Sequence, residues 1–217
     1  TYIELCFIDC EDVAENQENK VVTIFLSYCQ KDMDIADCLE ENIAHYICDK
    51  AKISRDIRDV EYHESFKRFM QSIEKHDYVI TIISDNYLKS RNCMFEMLEV
   101  VKDSYFSKKL LFIVLGDDDA KYYKNIPQEG ISADVYSALG QAKYSKYWSS
   151  VDKELEIEIE EIGDPMHAIL QIKEKQIVQK ILLDMPEFLE FIRDNKGLTL
   201  SEHIEKGFED MISFMGL

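Results

Sequence analysis

Glycine and proline are scarce in this chain, at 7 and 3 of 217 residues, while 46% of the residues are hydrophobic. That balance excludes a disordered chain and points to a packed globular core. Basic charge is also in deficit. With a formal charge of -18, the chain lacks the surface that would neutralise nucleic-acid phosphates or hold an anionic membrane, so neither partner is expected. No apolar run approaches the ~20 residues of a membrane-spanning helix, and no signal peptide is visible. The cysteines, Cys6, Cys10, Cys29, Cys38, Cys48 and Cys93, form no CxxC pair. They read as small core residues in a reducing compartment, which makes the cytoplasm the expected location. Cys6 and Cys10 have no nearby histidine to complete a zinc site. The first residue is Thr1 rather than Met, so a piece of a longer protein is expected and a missing targeting segment weighs little.

What is present is organised around Asp77–Val101. Tyr78–Ile83 is a short apolar run rich in β-branched residues, which reads as a strand buried on both faces. A polar turn follows, with Ser90 as an N-cap. It leads into an amphipathic helix whose apolar stripe is Met94, Met97, Leu98 and Val101. Three further strands are expected at Val21–Tyr28, Ala51–Ile57 and Lys109–Gly116, with helices between them. Strands alternating with helices give βαβ units, hence one doubly wound α/β domain on a parallel sheet. A fifth strand is expected around Ile131–Val135 or around Tyr144–Trp148. Residues 151–217 read as a helical extension: Val151–Ile162, Met166–Asp194 kinked or divided by Pro186, and Leu200–Met215. Residues 1–20 are a strand followed by an acidic linker, or the tail of an upstream segment. The domain proper is 21–217, with its core at 21–148.

Ligands of such sheets bind outside the carboxyl ends of the strands. Polar residues collect there in Ser27–Asp32, Arg55–Glu61, Ser84–Cys93 and Gly116–Asp119. No GxGxxG follows a strand and no GxxxxGK[ST] loop occurs, which argues against a Rossmann dinucleotide site and a phosphate loop. The first strand ends in Ser27-Tyr28, not in the carboxylate cluster of a phosphoacceptor site. The run Asp117–Asp119 reads as a solvated loop rather than a cation site, since no converging oxygens accompany it. No metal is expected, and the five histidines show no dyad spacing. On periodicity alone, Glu96 belongs with Asn92 and Glu99 in a solvated stripe.

Four segments together resemble a Toll/interleukin receptor (TIR) domain of the bacterial, NAD-cleaving type. They are Ile24–Asp32 (IFLSYCQKD), Ser54–Phe66 (SRDIRDVEYHESF), Asp77–Ser90 (DYVITIISDNYLKS) and Asn92–Leu98 (NCMFEML). The resemblance covers Val21 to Trp148. It implies a flavodoxin-like sheet and a catalytic glutamate at Glu96. It also implies cleavage of the nicotinamide–ribose bond of NAD⁺, as substrate and without any further cofactor, to ADP-ribose or a cyclic isomer, in anti-phage immunity. By the same resemblance Ser27, Tyr28 and Asp32 contact the nicotinamide riboside. Arg55, Asp56 and Glu61 lie in or beside the BB-like loop, which in the family gates the site and takes part in TIR–TIR self-association. Phe66 stands near the nicotinamide. Each has a structural alternative: Phe66 as helix core, and Arg55–Asp56 as a surface ion pair worth ~0–1 kcal/mol. A sensor domain or partner protein is a further implied partner. Many NAD-cleaving relatives carry tryptophan where this chain has Asn92, with Tyr87 or Tyr28 as the aromatic replacements at hand.

Overall fold

The apolar runs form four strands, β1 (Val22–Ser27), β2 (Ala51–Arg55), β3 (Tyr78–Ile83) and β4 (Leu110–Val114). The computed structural model describes residues 21–55, 62–127, 129–195 and 197–217, and for residues 62–68 the backbone alone. The expectations for residues 1–20, for Asp56 and Glu61, and for the end of the second strand fall outside the described residues. All strand pairs are parallel, and the order is β2-β1-β3-β4.

Alternation along each strand feeds two cores. Ile24, Leu26, Ile80, Ile82 and Ile113 face one layer, built with α1 (Met33–Ile47), α8 (Leu200–Glu205) and α9 (Glu209–Met215). Phe25, Val79, Ile83, Phe112 and Val114 face the other, built with α2 (Tyr62–Lys75), α4 (Arg91–Lys102), α6 (Ala138–Ile162) and α7 (Ile169–Asp194). Helices on both faces make the domain doubly wound. Two short helices, α3 (Asp85–Leu88) and α5 (Ser104–Ser107), bracket α4.

The structure corrects the sequence reading after β4. Among the described residues no fifth strand forms. Ile131–Val135 is irregular chain that caps the sheet, with Ala133 N–H donating to the Leu115 carbonyl at 2.9 Å. Tyr144–Trp148 lies inside α6, which Ser137 starts by accepting from Gly140 N–H at 2.9 Å. Buried Tyr144 and Trp148 stand four residues apart, a helical spacing rather than a strand's. A single parallel bridge from Leu198 to Ile113 covers part of the free edge of β4. Gly197 permits that approach, because a Cβ there would meet Val114 Cγ2 at 2.8 Å.

Pro186 does not divide α7. Burial of Met185, Phe188, Leu189 and Ile192 around it, at ~1.5–3 kcal/mol each, outweighs the ~3 kcal/mol cost of an internal proline. The last expected helix is instead two, because Gly207 and Phe208 take positive φ (61° and 59°) between α8 and α9. Among the described residues no helix is long and apolar enough to cross a membrane.

His203 on α8 is 4% exposed and stacks on Phe208 at 5.9 Å. Neither ring nitrogen has a hydrogen-bond partner among the described residues, and burial depresses its pKa. Folding therefore favours the neutral ring. That contribution is complete above the unfolded value near 6.5 and is lost as pH falls through it towards the lower folded value. His203→Phe keeps the ring stack and is expected to raise stability by about 1 kcal/mol at neutral pH. The gain should widen below pH ~6.5, as read from urea midpoints at several pH values.

Candidate active site

The strand order switches between β1 and β3, so the crevice at their carboxyl ends is the place for a ligand. Asp32, 0% exposed just after β1, ties this end together. Its carboxylate accepts from Ser84 Oγ at 2.5 Å, Asn86 Nδ2 at 3.0 Å and Tyr123 Oη at 2.7 Å. The ends of β1 and β3 and the turn after β4 thus share one acceptor. Burial pushes the Asp32 carboxyl up, against the downward pull of those three donors. Ser27, 1% exposed, sets its hydroxyl 3.5 Å from that of Tyr87.

Outside this hub lies a cleft of two merging cavities, about 490 and 410 Å³. Both are lined by Asp85, Lys89 and Gly130; Asp117 and Lys143 line the first, and Cys29, Ser90 and Tyr147 the second. Asp85 receives Lys89 Nζ at 2.7 Å and Lys143 Nζ at 2.8 Å. Burial alone would push its carboxyl up, but the two ammonium groups outweigh it and hold the carboxyl below the usual carboxylate range. In a chain of charge -18, this cleft gathers lysines, which periodicity gave no reason to single out. The available signals were local: Lys89 at i+4 from Asp85, and Tyr147 at i+4 from Lys143.

The wall beyond Ser90 is α4. Ser90 caps it as expected, accepting from Cys93 N–H at 3.4 Å. Ser90→Ala is expected to lower stability by about 0.5–1 kcal/mol, measured by urea unfolding. The buried residues of α4 are Cys93, Met94, Glu96, Met97, Leu98 and Val100, with Val101 only partly covered. Glu96, 2% exposed, is therefore not part of a solvated stripe. It shares its face with Cys93 and Val100, one turn to either side, and the second of the cavities above reaches as far as Ser90. The Cys93 thiol hydrogen-bonds that of Cys29 and lowers the pKa of Cys29. This contact joins the start of α4 to the end of β1.

The other expected site residues are dispersed. Arg55, at the end of β2, donates to Asp37 Oδ1 at 2.5 Å and to the Ala36 carbonyl at 3.0 Å, and also pairs with Glu40. It is bound to α1. The Arg55 guanidinium in turn holds the Asp37 carboxyl below its ordinary value. Asn92 accepts from Arg91 Nη2 at 3.1 Å, and Arg91 also pairs with Glu174 of α7. Tyr28 is partly buried against the α1 layer. Tyr87 is fully buried, so it offers no ring face to a ligand and cannot replace a missing aromatic. Phe66 lies on α2, with its side chain outside the described residues, as are Asp56 and Glu61. Asp119 is not solvated: it is 0% exposed and accepts from Gly116 N–H at 2.9 Å and Ser201 Oγ at 2.7 Å. Among the described residues no group of three His, Cys, Asp or Glu could hold a metal ion.

A family model for the TIR domain matches residues 24–150, from β1 through the first half of α6. No curated protein and no solved structure matches the chain. The matched segment contains all four parallel strands, the Asp32 hub and the Glu96 helix, so the chain belongs to the TIR-domain family.

Proposed function

We propose that this TIR domain is an NAD⁺ glycohydrolase or cyclase with Glu96 as its catalytic carboxylate. The observation that carries the reading is the burial of Glu96, at 2% exposure, on the family-matched helix that starts at the carboxyl end of β3. A glutamate costs little on a helix surface, whereas a buried carboxylate costs several kcal/mol before its partners compensate. Positions that bear such a cost are often reactive ones.

The chemistry needs one acid group and no more. In NAD⁺ the C1′–N1 bond joins ribose to a cationic pyridinium. As it breaks, the bonding pair returns to nitrogen and nicotinamide leaves neutral, so no group has to protonate it. Positive charge develops on the ribose as an oxocarbenium ion, as in glycoside cleavage. A preorganised carboxylate stabilises that charge where water would not. Water then adds at C1′ and releases a proton, giving ADP-ribose; attack by an adenine nitrogen gives a cyclic isomer instead. In this reading Asn92 lines the nicotinamide riboside end, and Ser27, 1% exposed, acts from behind it through its contact with Tyr87. Asp32, wholly buried, acts by holding Ser84 and Asn86 in place. NAD⁺ is the substrate, self-association through TIR contacts supports activity, and anti-phage defence in the cytoplasm is the setting the family resemblance suggests.

One observation favours a second reading, a non-catalytic signalling or scaffold module acting through homotypic TIR contacts. Asn92 takes the place where many NAD-cleaving relatives carry tryptophan, and its side chain is engaged by Arg91. Incubation with NAD⁺, followed by separation of nicotinamide, ADP-ribose and cyclic products, distinguishes the two. Nicotinamide appears if the domain is an enzyme. An unchanged NAD⁺ pool, at high protein concentration and with any native partner, leaves the scaffold.

A further inference from the structure

The contact between Cys29 and Cys93 takes part in no step of the NAD⁺ reading. Both are free cysteines, 7% and 5% exposed, and they stand 64 positions apart in the chain. A cysteine buried in an apolar core is ordinarily inert. Three features set this pair apart. The sulfurs already touch, since the Cys93 thiol donates to Cys29. The Cys29 sulfur also accepts from the Lys31 backbone N–H, in the turn that follows β1. Finally, Cys29 lines the smaller cavity of the cleft, about 410 Å³, so a small solute reaches it from outside.

Local electrostatics favour the thiolate at this point. Cys93 lies in the first turn of the 12-residue α4, where the positive end of the helix dipole meets the two sulfurs. The Cys93 donor, helped by the Lys31 N–H, outweighs burial and the charge of Asp32 and holds the Cys29 thiol below its ordinary value. Elsewhere the balance differs. Burial and the charge of Glu41 push the Cys38 thiol up, and Cys48 is exposed, with its thiol on the His45 carbonyl at 3.5 Å. A reachable thiolate backed by a second thiol is the arrangement that peroxides oxidise selectively.

We infer that Cys29 and Cys93 are a modification site for hydroperoxides, at which the two thiols close to a disulfide joining the end of β1 to the first turn of α4. The Cys29 thiolate attacks the hydroperoxide. An S–O bond forms as the O–O bond breaks, and the departing oxygen takes up a proton and leaves as alcohol or water. Cys93 then attacks the sulfenic sulfur of Cys29. The S–S bond forms, the S–O bond breaks, and the hydroxyl leaves as water with the Cys93 proton. In sum, two thiols are oxidised and one hydroperoxide is reduced. A dithiol reagent reverses the step by exchange, as for the transient disulfides of redox-sensing proteins. The bond pins the cleft wall one turn before Glu96, and it forms whether or not the domain cleaves NAD⁺.

Peptide mapping of the folded, reduced chain after a pulse of hydrogen peroxide tests it. Remaining thiols are alkylated in denaturant before digestion, and trypsin places the two cysteines in separate peptides ending at Lys31 and Lys102. Wild type yields a Cys29–Cys93 crosslinked pair that dithiothreitol releases, while Cys38 and Cys48 are recovered alkylated. Cys93→Ser leaves Cys29 as a sulfenic acid that dimedone traps. Cys29→Ser slows oxidation of Cys93 about tenfold or more, because the attacking thiolate is gone. Circular dichroism confirms that each variant is folded. Recovery of Cys29 and Cys93 both alkylated from pulsed wild type overturns the inference. A sulfenic acid at Cys29 that Cys93 never resolves overturns it too, as does a crosslink of either residue to another cysteine.

Discussion

Glu96→Gln is expected to lower the rate of nicotinamide release by about a thousandfold while leaving the folded state intact. The magnitude follows from what the carboxylate supplies. Losing one preorganised electrostatic group at a transition state costs ~10²–10³ in rate, and here a full charge is lost opposite a developing cation. The substitution keeps the shape of a side chain that is 2% exposed, so no cavity opens. An amide is also cheaper to bury than a carboxylate. The melting temperature of the variant should therefore match or exceed that of wild type, separating a chemical loss from a structural one. Glu96→Asp tests the same point by geometry, since it retracts the charge by one methylene and should retain only a small part of the rate.

Asp32→Ala is expected to cost about 3 kcal/mol of stability. It strands three donors, Ser84 Oγ, Asn86 Nδ2 and Tyr123 Oη, and each buried orphan costs ~1–3 kcal/mol. Water entering the vacated space recovers some of this. So does the removal of a carboxylate whose ionised form is penalised by burial. For a chain of 217 residues the melting temperature should fall by roughly 10 °C. The sign of the pH dependence follows from the raised folded pKa. Wild type gains stability from this group as pH falls through that value and loses it as pH rises, so the deficit of Asp32→Ala widens towards acid pH. Asp32→Asn keeps one acceptor oxygen and should lose about half as much. Activity should fall in both variants, through displacement of Ser84 and Asn86.

The strands were legible because a segment buried on both faces must be apolar throughout, and four such runs stand out locally. The Ser90 cap and the βαβ alternation were legible for the same local reason. The first half of α6 was not, because its helical signal rests on Tyr144 and Trp148 within a polar stretch that looks like loop. The burial of Glu96 was hidden for a different reason. Periodicity places a residue on a helix face, but which faces are covered depends on segments that pack from far along the chain. Here the contact of Cys93 with Cys29 turns that face of α4 towards the end of β1, a segment far back in the chain. The Asp32 hub is the extreme case, since its three donors lie 52, 54 and 91 positions away and leave no mark on the sequence around it. Lys89 and Lys143 became visible as cleft residues only when the Gly130 segment closed over the ends of β3 and β4, where Asn86 N–H donates to the Gly130 carbonyl at 2.9 Å.

The most direct measurement is a time course of NAD⁺ with the wild-type chain, by proton NMR at increasing protein concentration. Nicotinamide signals should grow as those of NAD⁺ decay, with a rate per molecule that rises with concentration as TIR contacts form. Glu96→Gln, at matched concentration, should leave NAD⁺ intact. An NAD⁺ spectrum that never changes with wild type, or one that decays equally with Glu96→Gln, would contradict the assignment of Glu96 as the catalytic carboxylate of an NAD⁺-cleaving enzyme.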